Sequence, residues 1–213
     1  MSTKTLTAAA LATALLSACS DSTTDPSATL ALDEAEFLAI ESDALLAGLI
    51  GLQFAALEQS ALATAADLVL GTAAEPVVTS FDFTRTAPCR AGGQTVVVGS
   101  GTRTFDRDTR LMEMDASGTR SIEDCARVRG DVTFSTNGSG RWDAHRRRIN
   151  GVPDGLQTLD QSGGFTVTAS DGRSEECDYE LHRSFDPSSG QVTLSGTVCG
   201  REIDRVFPHD GNG

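Results

Sequence analysis

The chain has 213 residues, with 30 acidic residues against 17 basic ones, and its formal net charge is −13. An acidic balance of this size disfavours binding to nucleic acid or to an anionic membrane surface. The length suffices for one domain with a core of its own. Lys4 is the only lysine, so the rest of the chain sets 16 arginines against the acids.

The N-terminal segment has the order of parts found in a secretory signal peptide. Lys4 and the free N-terminus provide positive charge, an apolar run of 11 residues extends from Leu6 to Leu16, and small residues then lead to Cys19. The run is too short to cross a bilayer, because a spanning helix needs about 20 residues. The pattern is therefore typical of an export signal rather than of a transmembrane helix.

The last part of this segment resembles the lipobox of bacterial lipoproteins, in which an aliphatic residue and two small residues precede a cysteine: Leu16, Ser17, Ala18 and Cys19. The resemblance implies that residues 1–18 are a signal peptide. It also implies that Cys19 receives a diacylglycerol thioether and, after cleavage, an acylated amino group. Two or more acyl chains anchor a protein stably, whereas one does so only marginally. The alternative is an ordinary signal peptide in which the cysteine has no role.

The residues that follow Cys19 complete the predicted topology. In the lipoprotein family an Asp directly after the lipidated cysteine favours the inner membrane, and here Ser20 stands at that position. The resemblance thus implies a lipid-anchored protein of the cell envelope, at the outer membrane. Residues 19–31 are small and polar apart from Leu30, and cannot bury enough surface to fold. We expect them to be a flexible tether for one domain, residues 32–213.

Four further cysteines suggest two disulfides, since an even number in an exported protein is typical of a disulfide framework: Cys89, Cys125, Cys177 and Cys199. Three connectivities are possible. Each sequential pair flanks a predicted hairpin, which favours Cys89–Cys125 and Cys177–Cys199. The second pairing requires one extra residue in its strand, and we expect a bulge at Ser195–Gly196 to supply it. Zinc is the rival interpretation, but no C-x-x-C spacing is present, so we expect no metal and no cofactor.

The segment from Leu32 to Leu70 is rich in Ala, Leu and Glu and contains no proline, which predicts a helix. As one helix it would be about 58 Å long, which exceeds the width of a domain of this size, so we expect a break at Gly48 and Gly51. The stretch from Ala44 to Ala56 is apolar nearly all round. We expect it to cover a sheet, and the alternative is insertion into a membrane or a partner.

After Gly71 the composition favours strands, because β-branched and aromatic residues alternate with polar ones. The runs are VVTSFDFTRT, QTVVVGSGTRTF, DVTFS, GGFTVTAS, CDYELHRSF and QVTLSGTVC. Asp171-Gly172 and the stretch from Asp186 to Gly190 predict hairpin turns, and Asn150 to Gly164 predicts a longer loop. The fold class we expect is α+β, with the helical segment packed on an antiparallel meander of six to eight strands. The alternative is a closed barrel or a sandwich with external helices.

Few residues point to chemistry. The three histidines, His145, His182 and His209, accompany no G-x-S-x-G nucleophile motif, so we expect no catalytic residue. The dense basic cluster of Arg146, Arg147 and Arg148 is a candidate anion-binding site, since guanidinium forks suit carboxylate and phosphate. The alternative is a solvated strand end. Acidic stretches at 106–108 and 174–180 lack the spacing of a calcium loop, and Trp142 is either a core residue or an exposed aromatic.

These features predict an anchored envelope lipoprotein that acts as a non-enzymatic binding or structural module. Its membrane contact is the lipid anchor, and the sequence predicts no nucleic-acid partner. The alternative is a carrier of an apolar ligand or lipid held between helix and sheet. A carrier needs a lined void of several hundred Å³, whereas a structural module should be packed solid.

The lipid anchor is directly testable through Cys19→Ala. We expect this substitution to release the protein from membranes or to block its processing, because the thioether and the cleavage site are both lost. Intact mass spectrometry of the membrane-extracted wild-type protein should show the added acyl chains. A wild-type mass without acyl chains would contradict the prediction.

Overall fold

A computed structural model of the protein describes residues 30–67 and 75–209. In this part of the chain one helix packs on one nine-stranded antiparallel sheet. The helix α1 spans Leu32–Asp67. The strands are β1 Val77–Pro88, β2 Gln94–Asp106, β3 Leu111–Arg129, β4 Val132–Ile149, β5 Val152–Pro153, β6 Gln157–Ala169, β7 Ser174–Asp186, β8 Gln191–Val198 and β9 Arg201–Pro208. The predicted α+β class is thus confirmed, although most of the fold is sheet.

The sheet is an open meander. Its strand order is β1-β2-β3-β4-β6-β7-β8-β9, and the two-residue strand β5 pairs with β4 beside this path. Strands β1 and β9 are the two edges, so the alternative of a closed barrel is wrong. The hairpin turns predicted at Asp171-Gly172 and from Asp186 to Gly190 are present. The long loop predicted from Asn150 to Gly164 is wrong, because the strand β6 already begins at Gln157.

The helix is continuous, and the break predicted at Gly48 and Gly51 is wrong. Its 36 residues extend for about 54 Å at 1.5 Å per residue. The strand β3 has 19 residues, which extend for about 60 Å at the rise of an extended chain. The sheet is therefore long enough to support the whole helix. The break was predicted because the helix is longer than a typical domain is wide, whereas the longest strands of this sheet are as long as the helix.

The helix lies on the inner face of the sheet and contacts both of its edge strands. Near its start, Glu36 pairs with Arg205 of β9. Farther along, Gln53 accepts hydrogen bonds from Arg85 of β1 at 2.9 and 3.0 Å, and the Leu57 carbonyl accepts one from the next strand, β2. Between Leu32 and Ala61 the helix is long and apolar enough to cross a membrane by length and composition. Here its buried side chains pack on the sheet, as the sequence predicted.

The acidic residues of the helix are bound by arginines of the sheet and its turns. All six acids between Leu32 and Ala61 have such a partner: Asp33 with Arg129, Glu34 with Arg173, Glu36 with Arg205, Glu41 with Arg90, Asp43 with Arg183, and Glu58 with Arg148. The Arg173–Glu34 pair is bidentate, with two N–O distances of 2.5 and 2.7 Å. These pairs fix the position of the helix at both ends as well as in the middle.

The folded part begins before the predicted domain boundary at residue 32. Leu30 is buried beside Leu38 and Phe134. Its backbone N–H donates to Glu175 Oε2 at 2.6 Å, and its carbonyl accepts from Arg201 Nη2 at 2.5 Å. The predicted tether is therefore too long at its C-terminal end. The predicted signal peptide and Cys19 lie outside the described residues.

Both predicted disulfides are confirmed, with Cα–Cα distances of 5.4 Å for Cys89–Cys125 and 4.3 Å for Cys177–Cys199. The bulge predicted at Ser195–Gly196 is wrong, because the register between β7 and β8 continues without a shift and places Leu181 opposite Gly196. Cys199 instead lies in the β8–β9 turn with a positive φ of 52°. The turn, rather than a bulge, brings its sulfur to Cys177.

Trp142 is a core residue, only 1% exposed. Its indole N–H donates to the Thr119 carbonyl at 3.2 Å, and its ring packs against Phe83. The space for the ring comes from a glycine on β2, two strands away, since a Cβ on Gly99 would lie 2.4 Å from the indole. A Cβ on Gly140 would similarly lie 1.9 Å from the Tyr179 hydroxyl. Gly99 and Gly140 therefore make room for aromatic side chains.

The paired helix acids predict a loss of stability in acid. Hydrogen bonds from Arg173 and Arg205 hold the pKa values of Glu34 and Glu36 below their ordinary value of 4.5. A lowered folded-state pKa means that the ionised form stabilises the fold, fully above pH 4.5, and that this contribution disappears as pH falls through the lowered pKa. We expect the urea midpoint to fall on acidification, and to fall less in Glu34→Gln/Glu36→Gln.

The matched control for this series is Glu176→Gln/Glu202→Gln, which neutralises two exposed acids of the outer sheet face. Urea midpoints measured from about pH 7 to about pH 3 compare the three proteins. Equal acid dependence in the wild type and in the Glu34/Glu36 variant would show that these pairs do not stabilise the docked helix.

Candidate functional site

A cavity of about 400 Å³ lies between the helix and the sheet. It lies at one corner of the sheet, against the C-terminal ends of β7 and β9 and the start of β8. The space is partly open to solvent. Its apolar walls come from both layers: Ile40, Ile50, Phe54, Leu159, Phe185, Val192 and Phe207.

Small residues on the helix create the space. Ala44, Ala47, Gly48 and Gly51 line the cavity where larger side chains would fill it. A Cβ added to Gly48 would meet no atom within 4 Å. A larger residue there would therefore project into open space rather than into a wall. The apolar stretch of the helix thus carries small residues where it lines the void.

One buried carboxylate lies at the cavity wall. The Asp43 side chain is 1% exposed, and it accepts hydrogen bonds from Arg183 Nη1 at 2.6 Å and from Gln161 Nε2 at 2.7 Å. Burial raises the pKa of Asp43, and the adjacent Arg183 opposes this effect. The arginine and the aspartate offset each other's charge, so the pair contributes no net charge to the cavity when both are ionised.

The predicted arginine cluster is separated by the alternation of β4. Arg147 points to the outer side and pairs with Asp154 at 3.0 Å. Arg148 points inward and donates to Glu58 Oε2 at 2.6 Å. Arg146 lines the cavity. The three side chains therefore do not form one clamp, and Arg146 alone of the three is available to a molecule in the cavity.

The histidines lie apart from one another. His145 Nδ1 is 2.8 Å from Asp115 Oδ1, and His182 Nδ1 is 2.6 Å from Asp160 Oδ1, in two pairs on the outer face of the sheet. The cross-strand neighbour of His182 on β8 is Ser195, but no hydrogen bond joins the two side chains in the structure. His209 stacks on Phe185 at the cavity rim, with ring centroids 4.4 Å apart.

The acidic stretches serve the fold. Asp106 accepts hydrogen bonds from the backbone of Asp108 and from the Thr109 hydroxyl, and so closes the β2–β3 turn. Asp186 does the same for the β7–β8 turn. Glu175 has its carboxylate close to the sulfurs of Cys177 and Cys199. Those sulfurs are consumed by the disulfide, so they are not metal ligands.

The comparisons with known proteins found no counterpart. No protein-family model matches the chain, and no curated protein and no solved structure is significantly similar to it. The site must therefore be interpreted from its own geometry.

The Asp43–Arg183 pair gives a prediction for stability. Asp43→Leu should cost about 3–5 kcal/mol of unfolding free energy, because Arg183 is then left without its anion in a largely buried position. The double variant Asp43→Leu/Arg183→Met should recover most of this loss, since it removes both charges together. Denaturant unfolding measures both values. A double variant that is no more stable than Asp43→Leu would contradict the prediction.

Proposed function

We propose that this protein is an envelope lipoprotein, anchored through Cys19, whose domain binds an apolar ligand without catalysing a reaction on it. The observation that carries the proposal is the cavity between helix and sheet. Its volume of about 400 Å³ lies within the range of small-molecule sites, about 300–1,000 Å³. A module with a purely structural role would be expected to fill this space with side chains.

The lining supports an apolar ligand in particular. Aliphatic and aromatic side chains line the cavity from both the sheet and the helix, and the helix also contributes Ala and Gly. Removing apolar surface from water provides about 25 cal/mol per Å², so a hydrocarbon chain placed there gains affinity without a specific polar contact. The charged pair Asp43–Arg183 is internally satisfied and does not demand a polar ligand.

The anchor places such a site near its ligand source. The proposed tether between Cys19 and the docked Leu30 contains ten residues. Ten residues can reach at most about 36 Å even when fully extended. A domain held this close to a bilayer meets membrane-derived amphiphiles at high local concentration. The proposed partners are thus the membrane, through the lipid anchor, and an apolar small molecule.

The single tryptophan provides a direct test. Trp142 lies on β4, two residues from Ala144 at the cavity wall, and it is shielded from solvent. The mature protein in phosphatidylcholine nanodiscs is titrated with ω-bromododecanol, whose bromine quenches nearby indole fluorescence. We expect saturable quenching in the wild type. Quenching that never saturates, or none at all, would contradict ligand binding in the cavity.

Gly48 supplies matched variants for the same titration. Gly48→Phe should abolish saturable quenching, because the ring projects into the cavity. Gly48→Ala should retain it, and should stabilise the protein by about 1 kcal/mol through its higher helix propensity. If Gly48→Phe does not fold, Ala47→Leu is the second cavity-filling variant. Equal quenching in the Ala and in a folded cavity-filling variant would place the bound alcohol elsewhere.

A further inference from the structure

Arg146 differs from the other arginines that reach the inner side of the sheet. Among the described residues each of the others has a hydrogen-bond acceptor or an acidic partner: Arg85 has Gln53, Arg103 the Leu57 carbonyl, Arg120 the Ser42 carbonyl, Arg127 the Thr136 hydroxyl, Arg129 Asp33, Arg148 Glu58, Arg173 Glu34, Arg183 Asp43, Arg201 the Leu30 carbonyl and Arg205 Glu36. Arg146 makes no hydrogen bond or ion pair with any described residue.

The surroundings of Arg146 are unfavourable for a lone cation. Its Nε atom is buried and has no acceptor. Burial lowers the pKa of Arg146, the nearby Arg148 guanidinium lowers it further, and Glu58 offsets only part of these effects. Glu58 also bonds Arg148 directly at 2.6 Å. A buried polar group without a partner costs free energy. An anion bound at this position would remove that cost.

The charged residues that line the cavity leave it with a net positive charge. The lining contains one aspartate, Asp43, and two arginines, Arg146 and Arg183. Because Asp43 and Arg183 pair with each other, Arg146 leaves one uncompensated positive charge at a site whose lining is mostly apolar. An apolar pocket with one unpaired guanidinium is complementary to an amphiphile that has one oxyanion and a hydrocarbon body.

We propose that Arg146 binds the oxyanion headgroup, a carboxylate or a phosphate, of an amphiphile whose hydrocarbon chain occupies the cavity. This inference rests on the proposed function and specifies its ligand class. The guanidinium presents two parallel N–H groups that match either oxyanion, and charge-assisted hydrogen bonds of this kind are stronger than neutral ones. The hydrocarbon chain of the ligand then lies against the small helix residues around Gly48.

The test compares three ligands that share one hydrocarbon chain. Mature protein in phosphatidylcholine nanodiscs is titrated with ω-bromododecanol, ω-bromododecanoic acid and ω-bromododecyl phosphate, and Trp142 quenching reports binding. We expect one or both oxyanions to bind at least about tenfold more tightly than the alcohol, near the lower end of what a hydrogen bond to a charged group contributes. The stronger of the two anions identifies the headgroup.

Variants then assign the preference to Arg146. Arg146→Met keeps the length of the side chain and removes its charge, so the anion-to-alcohol ratio should fall to about one while alcohol affinity is retained. Arg147→Met is the matched control, because its guanidinium is on the outer side of the same strand, and it should keep the wild-type ratio. Thermal unfolding verifies that both variants fold, and Arg146→Gln replaces Arg146→Met if it does not.

The outcomes of this test distinguish the role of Arg146 in headgroup binding from the binding of a hydrocarbon chain in the cavity. Equal affinities for the three ligands in the wild type overturn the role of Arg146 and leave the apolar site intact. An anion preference that survives in Arg146→Met, or that falls equally in Arg147→Met, also overturns it, since the preference would then come from surface charge. Failure of all three ligands to quench Trp142 overturns the proposed function itself.

Discussion

The docking of one long helix across an open sheet is the interaction on which the rest of the structure depends. A single-layer sheet this long has an apolar face that only another layer can cover, and α1 is the only helix among the described residues. Apolar contact alone would allow the helix to slide or rotate. Carboxylates spaced along it, from Asp33 to Glu58, pair with arginines at fixed positions of the sheet and so define one placement. Because these pairs are polar and directional, they contribute specificity more than stability.

The same placement produces the candidate site. The helix starts beside β9 and reaches β1 at Gln53, and a cavity remains at the corner where Phe185 and Phe207 lie. Small residues such as Gly48 then keep the gap open. Each of the other described arginines on the inner side of the sheet has at least one partner, whereas Arg146 lies at the gap and has none. The cavity and its positive charge are thus two consequences of one packing geometry.

Much of the fold could be predicted from local patterns, because strand alternation, turn residues and hairpin-flanking cysteines act over short distances. The break predicted at Gly48 was wrong because the strands are longer than the local sequence pattern indicated. Strands of that length support an unbroken helix. The cavity could not be predicted, since it depends on the crossing angle of two layers. The cluster around Arg146 was recognised, but strand alternation separates Arg146 from Arg147, and the ion pair with Glu58 distinguishes Arg148 from Arg146. A signal that was missed is Asp43, an acid inside an apolar helix, which indicated a buried partner across the interface.

The most direct measurement is the position of a bromine atom in crystals. Mature protein crystallised with ω-bromododecanoic acid, with diffraction collected at the bromine edge, locates the ligand without assumptions about its fit. We expect a bromine peak inside the cavity between Gly48 and Leu159, with the carboxylate within hydrogen-bond distance of the Arg146 guanidinium. A helix packed directly on this corner of the sheet, with bromine on the outer surface or at no ordered position, would contradict it.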